Sequence, residues 1–134
     1  MWATKGEEPT QVVVTPYGRI GLMICRDVHA LPELLARKKA DIVLYSVGWY
    51  GPNTENWYRK IFPQRYVVPN EFSVVVANWS AEVDGPGWDG HGYSCVIGSD
   101  GKVLSMAKTL RGSEIVFADL PVAENKVGLQ PPEI

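Results

Sequence analysis

The chain has 134 residues, 46% of them hydrophobic, and a formal charge of -2 at pH 7, the profile of one soluble globular domain able to bury a core. Its 13 Lys and Arg are interspersed among 15 Asp and Glu, which leaves no basic stripe for phosphates and no reason to expect a nucleic-acid partner. Apolar runs stop at about six residues where a bilayer span needs about 20, and the opening MWATKGEEPT lacks a signal-peptide core, so no membrane segment and a cytoplasmic location are expected.

In chain order, TQVVVT (10–15) is β-branched and bounded by prolines, which predicts a strand. PYG then turns into RIGLMIC (19–25), the second arm of a hairpin. HALPELLARKK places Leu31, Leu34 and Leu35 at helical spacing with Pro32 in the first turn, predicting a helix over about 31–39. DIVLYSV (41–47) is a continuous apolar run of the kind buried on both faces, and strand, helix, strand in so few residues predicts a parallel crossover. TENWYRKIFPQRYVV reads as a second helix with Thr54 as its N-cap and a kink or split at Pro63. FSVVVAN (72–78) completes a second crossover. YSCVIGSDGKVLSMA gives two strands across a Ser-Asp-Gly turn, SEIVFADL (113–120) a last strand, and a proline-punctuated tail follows.

The chemistry centres on Cys25, the residue that ends RIGLMIC just before the first helix. A cysteine at the carboxyl end of a parallel strand sits where open α/β sheets bind ligands. A sharp strand-to-helix bend there lifts the thiol out of the sheet, and the backbone N–H of Arg26 can hold an oxyanion. The opposing reading is packing, because free cysteine is among the most buried residue types. Cys95 lies inside a strand, where packing is favoured. The two thiols have no disulfide-rich scaffold around them, and His29 and His91 show no close-set ligand spacing with them, so no metal and no other cofactor are expected. Asp27 is expected to bond backbone beside the bend. Trp49, Tyr50 and Trp88 border the Cys25 end of the sheet, lining a pocket or packing in the core.

The stretch TPYGRIGLMICRDVHALPELLARKKADIVLYSVGWYG resembles the nucleophile segment of the carbon-nitrogen hydrolase (nitrilase/amidase) superfamily. It has Gly18 and Gly21 before the cysteine, Asp27 after it, Pro32 and Glu33 opening the helix, and Trp49 after the next strand. The resemblance continues through VVVAN, GHGYSCVIGSDGKVLSMA and IVFADL. It implies that residues 1–134 form a single partial nitrilase-type domain of α/β class, half of an αββα sandwich with a mixed sheet and helices on one face. It also implies acyl transfer to Cys25 from amide, nitrile or carbamoyl small-molecule substrates.

The family's Glu base and Lys lie in the amino-terminal half of its domain and have no counterpart here. Lys5 falls at the wrong place, and Glu33, Glu71 and His29 are better read as structural or solvated groups. A lone half would expose the inner face of its sheet, which predicts a homodimer packed sheet to sheet or association with a separate amino-terminal half. Three functions stay open at this point: a hydrolase with Cys25 as nucleophile, weak or inactive alone; a catalytically silent dimeric binding or scaffold module; and a thiol-based redox or acyl-accepting protein.

Overall fold

The computed structural model describes residues 11–49, 53–80, 92–108 and 112–121. The β-branched run Val12–Thr15 forms β1 and turns through Pro16 and Tyr17 into β2, Gly18–Ile24, with Thr15 opposite Gly18 in an antiparallel pair. Gly18 sits at φ 116°, a conformation closed to residues with a Cβ. Thr15 Oγ1 donates to its carbonyl at 2.8 Å.

A 3-10 turn, Cys25–His29, leads to α1, Pro32–Arg37. The helix is shorter than the predicted 31–39, because Lys38 and Lys39 leave it in a turn with Lys39 at φ 61°. Arg19 closes this end. Its Nε and Nη2 donate to the carbonyls of Lys39 and Lys38 at 2.9 and 2.7 Å, satisfying acceptors that a helix end leaves free. Its main-chain N–H donates to Asp41 Oδ2 at 2.8 Å.

β3 (Ile42–Val47) and β4 (Ser73–Asn78) run parallel to β2. β5 (Cys95–Ile97) and β6 (Val103–Met106) add antiparallel strands, so the six strands of one mixed sheet follow chain order. The helical run between β3 and β4 differs from expectation. Asn53, at φ 69°, precedes it, and Thr54 is buried inside the first turn instead of capping it. Pro63 brings no N–H, and the chain absorbs the lost bond by widening to π-helical spacing over Trp57–Ile61 and Pro63–Val67, ending in a 3-10 turn at Val68–Asn70.

Strand register decides where the core lies. Gly21, Met23, Val43, Tyr45, Val74, Val76, Cys95 and Ile97 share one face, because side chains alternate along each strand. All are buried, packed with Leu35 of α1 and with Tyr58, Phe62 and Val67 of the helical run. A Cβ on Gly21 would lie 2.8 Å from Leu35 Cδ2, so the missing side chain is what lets α1 settle on the sheet.

The other face carries Val13, Ile20, Leu22, Ile24, Leu44 and Val75. It is open along β2, where Leu22 and Ile24 stand 52% and 68% exposed, and closes toward β5, where Val96, opposite Val75, is 5% exposed. The architecture is a mixed sheet with helices on one face, a partial α/β fold. The predicted last strand is a correction: 113–120 joins no ladder, and Ile115 and Phe117 are exposed. Strand-forming residues realise that tendency only against a pairing neighbour, and none lies beside this segment among the described residues.

Candidate active site

The bend after β2 is built from four neighbours. Ile24, the last strand residue, is extended at φ -125° and ψ 118°, and Cys25 turns to a left-handed φ of 47°. For a residue with a Cβ that conformation costs about 1–2 kcal/mol and must be held from outside. Asp27 Oδ2 accepts the Ile24 N–H at 2.9 Å. The Asp27 carbonyl accepts the N–H groups of Ala30 and Leu31 at 2.9 and 2.8 Å. Val28 buries its side chain in the core, and Tyr45 Oη, from β3, donates to the Cys25 carbonyl at 2.9 Å.

The bend presents the Cys25 thiol to solvent at the carboxyl end of a parallel strand, the end at which open sheets hold ligands. Arg26 is exposed beside it. Its N–H is among the leading donors of the 3-10 turn, which have no acceptor within that turn.

Beneath the bend lies a cluster of aromatic rings. Tyr45 stacks on Phe62 with centroids 5.6 Å apart and planes 9° from parallel, and Phe62 meets Tyr58 edge-on at 5.8 Å. Burial pushes the pKa of the Tyr45 phenol upward, and the neighbouring Cys25 adds to the effect, so the hydroxyl stays protonated and able to donate. The Tyr58 phenol moves the same way, again chiefly by burial. Among the described residues, the hydroxyls of Tyr58 and Tyr66 and the indole N–H of Trp49 are buried without a partner, whereas the Tyr45 hydroxyl has found an acceptor.

The structure separates the other sequence candidates. Trp49 stacks on Trp57 at 5.1 Å, and its main-chain N–H donates to Asn78 Oδ1 at 2.9 Å; it packs against the core. Tyr50, Trp88, His91 and Lys5 lie outside the described residues. His29 and Glu33 are exposed on the turn and on α1, while Glu71 precedes β4 at the opposite end of the sheet from Cys25. Cys95 is buried, and burial pushes its thiol from 9.0 up to about 12, the environment of a packing residue. Among the described residues, no three His, Cys, Asp or Glu side chains are grouped to hold a metal.

Two features escaped the sequence reading. Tyr45 was legible as an oddity, the one aromatic ring in a core strand of aliphatic residues and Ser46, since a buried tyrosine usually seeks a partner. The other is a polar recess lined by Asn78, Ser80, Ser94, Ser113 and Glu114 at the carboxyl end of β4. It depends on segments far apart in the chain, and no local pattern announces it.

Comparison with known proteins follows the same lines. The family model for carbon-nitrogen hydrolases matches residues 2–126. No curated protein matches. Among solved structures, a mutant amidase from Nesterenkonia sp. AN1, with the acetamide moiety of fluoroacetamide covalently added at its active-site cysteine, is 27% identical at a TM-score of 0.65. The match covers 78% of this chain and 39% of that one. A second mutant of the Nesterenkonia amidase, in complex with butyramide, is 28% identical with a TM-score of 0.63 and the same coverage. Nit3 from Saccharomyces cerevisiae, a member of the nitrilase superfamily, shares the fold at 24% identity and a TM-score of 0.62, over 77% of this chain and 38% of that one. The chain thus spans about two fifths of the length of the amidases it matches.

Proposed function

The chain belongs to the carbon-nitrogen hydrolase family, and from that premise we propose that it is the nucleophile-bearing part of an enzyme cleaving small amides, nitriles or carbamoyl compounds. Cys25 is the nucleophile. The observation that carries the reading is an exposed thiol on a left-handed residue at the end of a parallel strand, in a chain similar to an amidase whose active-site cysteine takes up an acetamide group. In the reaction, sulfur attacks the carbonyl or nitrile carbon and the Arg26 N–H meets the developing negative charge. From an amide the amine or ammonia leaves as the thioester forms, whereas a nitrile adds the thiol to give a thioimidate with nothing leaving, and water then expels ammonia to give the thioester. Water then releases the acid.

The proton acceptor and further charge stabilisation come from outside this sequence. Each such group contributes about 10²-fold or more to the rate, so the chain alone is slow. The uncovered face around Leu22 and Leu44 fits completion by a second sheet, from another copy or from a separate amino-terminal half. The test is turnover of short aliphatic amides, nitriles and N-carbamoyl amino acids by the chain and by Cys25→Ser. Loss of ammonia release in Cys25→Ser supports the reading. Equal rates overturn it and leave the silent scaffold module.

A further inference from the structure

We propose that Tyr45 is a positioning residue that aims and strengthens the oxyanion donor, acting through the peptide bond between Cys25 and Arg26. The inference rests on the reading of Cys25 and the Arg26 N–H given above. The Cys25 carbonyl and the Arg26 N–H belong to one planar trans peptide, so they point in opposite directions from the same rigid unit. Fixing the oxygen therefore fixes the direction of the N–H. Tyr45 Oη holds that oxygen at 2.9 Å, from beneath a residue at φ 47° that would otherwise relax.

The anchor is itself stiff. Tyr45 is 4% exposed in a strand paired on both edges, and its ring lies flat against Phe62. Hydrogen bonds in series polarise one another, so a donor on the carbonyl also makes the N–H of the same amide a better donor. Asp27 performs the matching task two peptides earlier, holding the Ile24 N–H at 2.9 Å. The two contacts grip the bend from either side of Cys25.

Tyr45→Phe removes only the hydroxyl and keeps the stacked ring. Two reactions of Cys25, followed on its own peptide by mass spectrometry, distinguish aim from mere integrity. Alkylation by iodoacetamide forms a C–S bond and expels iodide with no oxyanion. Acetylation by p-nitrophenyl acetate forms a tetrahedral oxyanion that collapses to the thioester, releasing p-nitrophenolate while buffer takes the thiol proton. The expected result is acetylation slowed about tenfold in Tyr45→Phe, below the full loss of a donor, with alkylation within about twofold of wild type.

Equal slowing of both reactions, or of neither, overturns the role of Tyr45. Failure of the site itself looks different: wild-type Cys25 would then acetylate no faster than a small thiol matched to its alkylation rate, and the present inference would fall with it. Should Tyr45→Phe not fold, 3-fluorotyrosine placed at position 45 keeps the ring and sharpens the donor. Faster acetylation at unchanged alkylation supports the inference, and an unchanged ratio overturns it.

Discussion

The two faces of the one sheet make opposite use of the same kind of residue. On the face under the helices, Met23, Val43, Val74 and Ile97 are at most 1% exposed, while on the other Leu22, Ile24 and Leu44 are 52%, 68% and 38% exposed. Alternation along β2 and β3 delivers apolar side chains to both sides equally, so composition does not distinguish them. What differs is that α1 and the helical run lie on the first, while along β2 and β3 the second keeps these residues exposed. Apolar area stabilises a fold only when it leaves water, which makes the first face the source of stability, while the second, along β2, keeps its apolar side chains exposed.

The sharpest way to break that comparison is to truncate one large side chain on each face. Phe62→Ala opens a hole against Tyr45 and Tyr58, and we expect a loss of about 3–5 kcal/mol in urea unfolding. Leu22→Ala, already in water, should shift the unfolding of the monomer by less than about 0.5 kcal/mol. A Leu22→Ala loss close to that of Phe62→Ala would mean that the second face is covered in solution. Smaller is the expected effect of Gly21→Ala. Its new Cβ at 2.8 Å from Leu35 Cδ2 must lever α1 outward, at about 1–3 kcal/mol.

The gentlest probe is pH. Cys95, on the covered face, has its pKa raised by burial from 9.0 to about 12, so the fold favours the neutral thiol. That contribution is complete below pH 9 and is lost as pH climbs toward 12, at about 1.4 kcal/mol per unit. Between pH 9 and 10, before unfolded tyrosines ionise, Cys95→Ala should flatten the decline in stability measured by denaturant melts. An unchanged slope would show that Cys95 reaches water.

How much of this could be read from sequence follows from how local each signal is. DIVLYSV and FSVVVAN read as strands because an unbroken apolar run needs no distant partner to be recognised, and both formed within a residue of expectation. SEIVFADL carries an equally strong pattern, yet Ile115 and Phe117 stand in water, because a strand is completed by a neighbour that its own residues do not specify. Thr54 misled for a related reason. Its hydroxyl suits a cap, but Asn53 tolerates the left-handed entry to the run, a preference Asn shares with Gly. At the site, the bend at Cys25 was legible from the abrupt change of pattern, whereas the hydroxyl beneath it comes from 20 residues further along and required the register of β2 against β3.

The Arg19 side chain has a consequence for how this molecule comes together. By gripping the end of α1 and, through its main chain, the start of β3, it closes a loop of modest length at the end of the sheet away from Cys25. The grip of Tyr45 on the bend closes another of similar size at the opposite end. Loops this short cost little entropy to shut, and both are closed by residues of the stretch from β2 to β3 alone, so the first crossover is tied at its two ends without help from the later strands. The strained residue is thereby set into a frame whose ties do not depend on β4, β5 or β6.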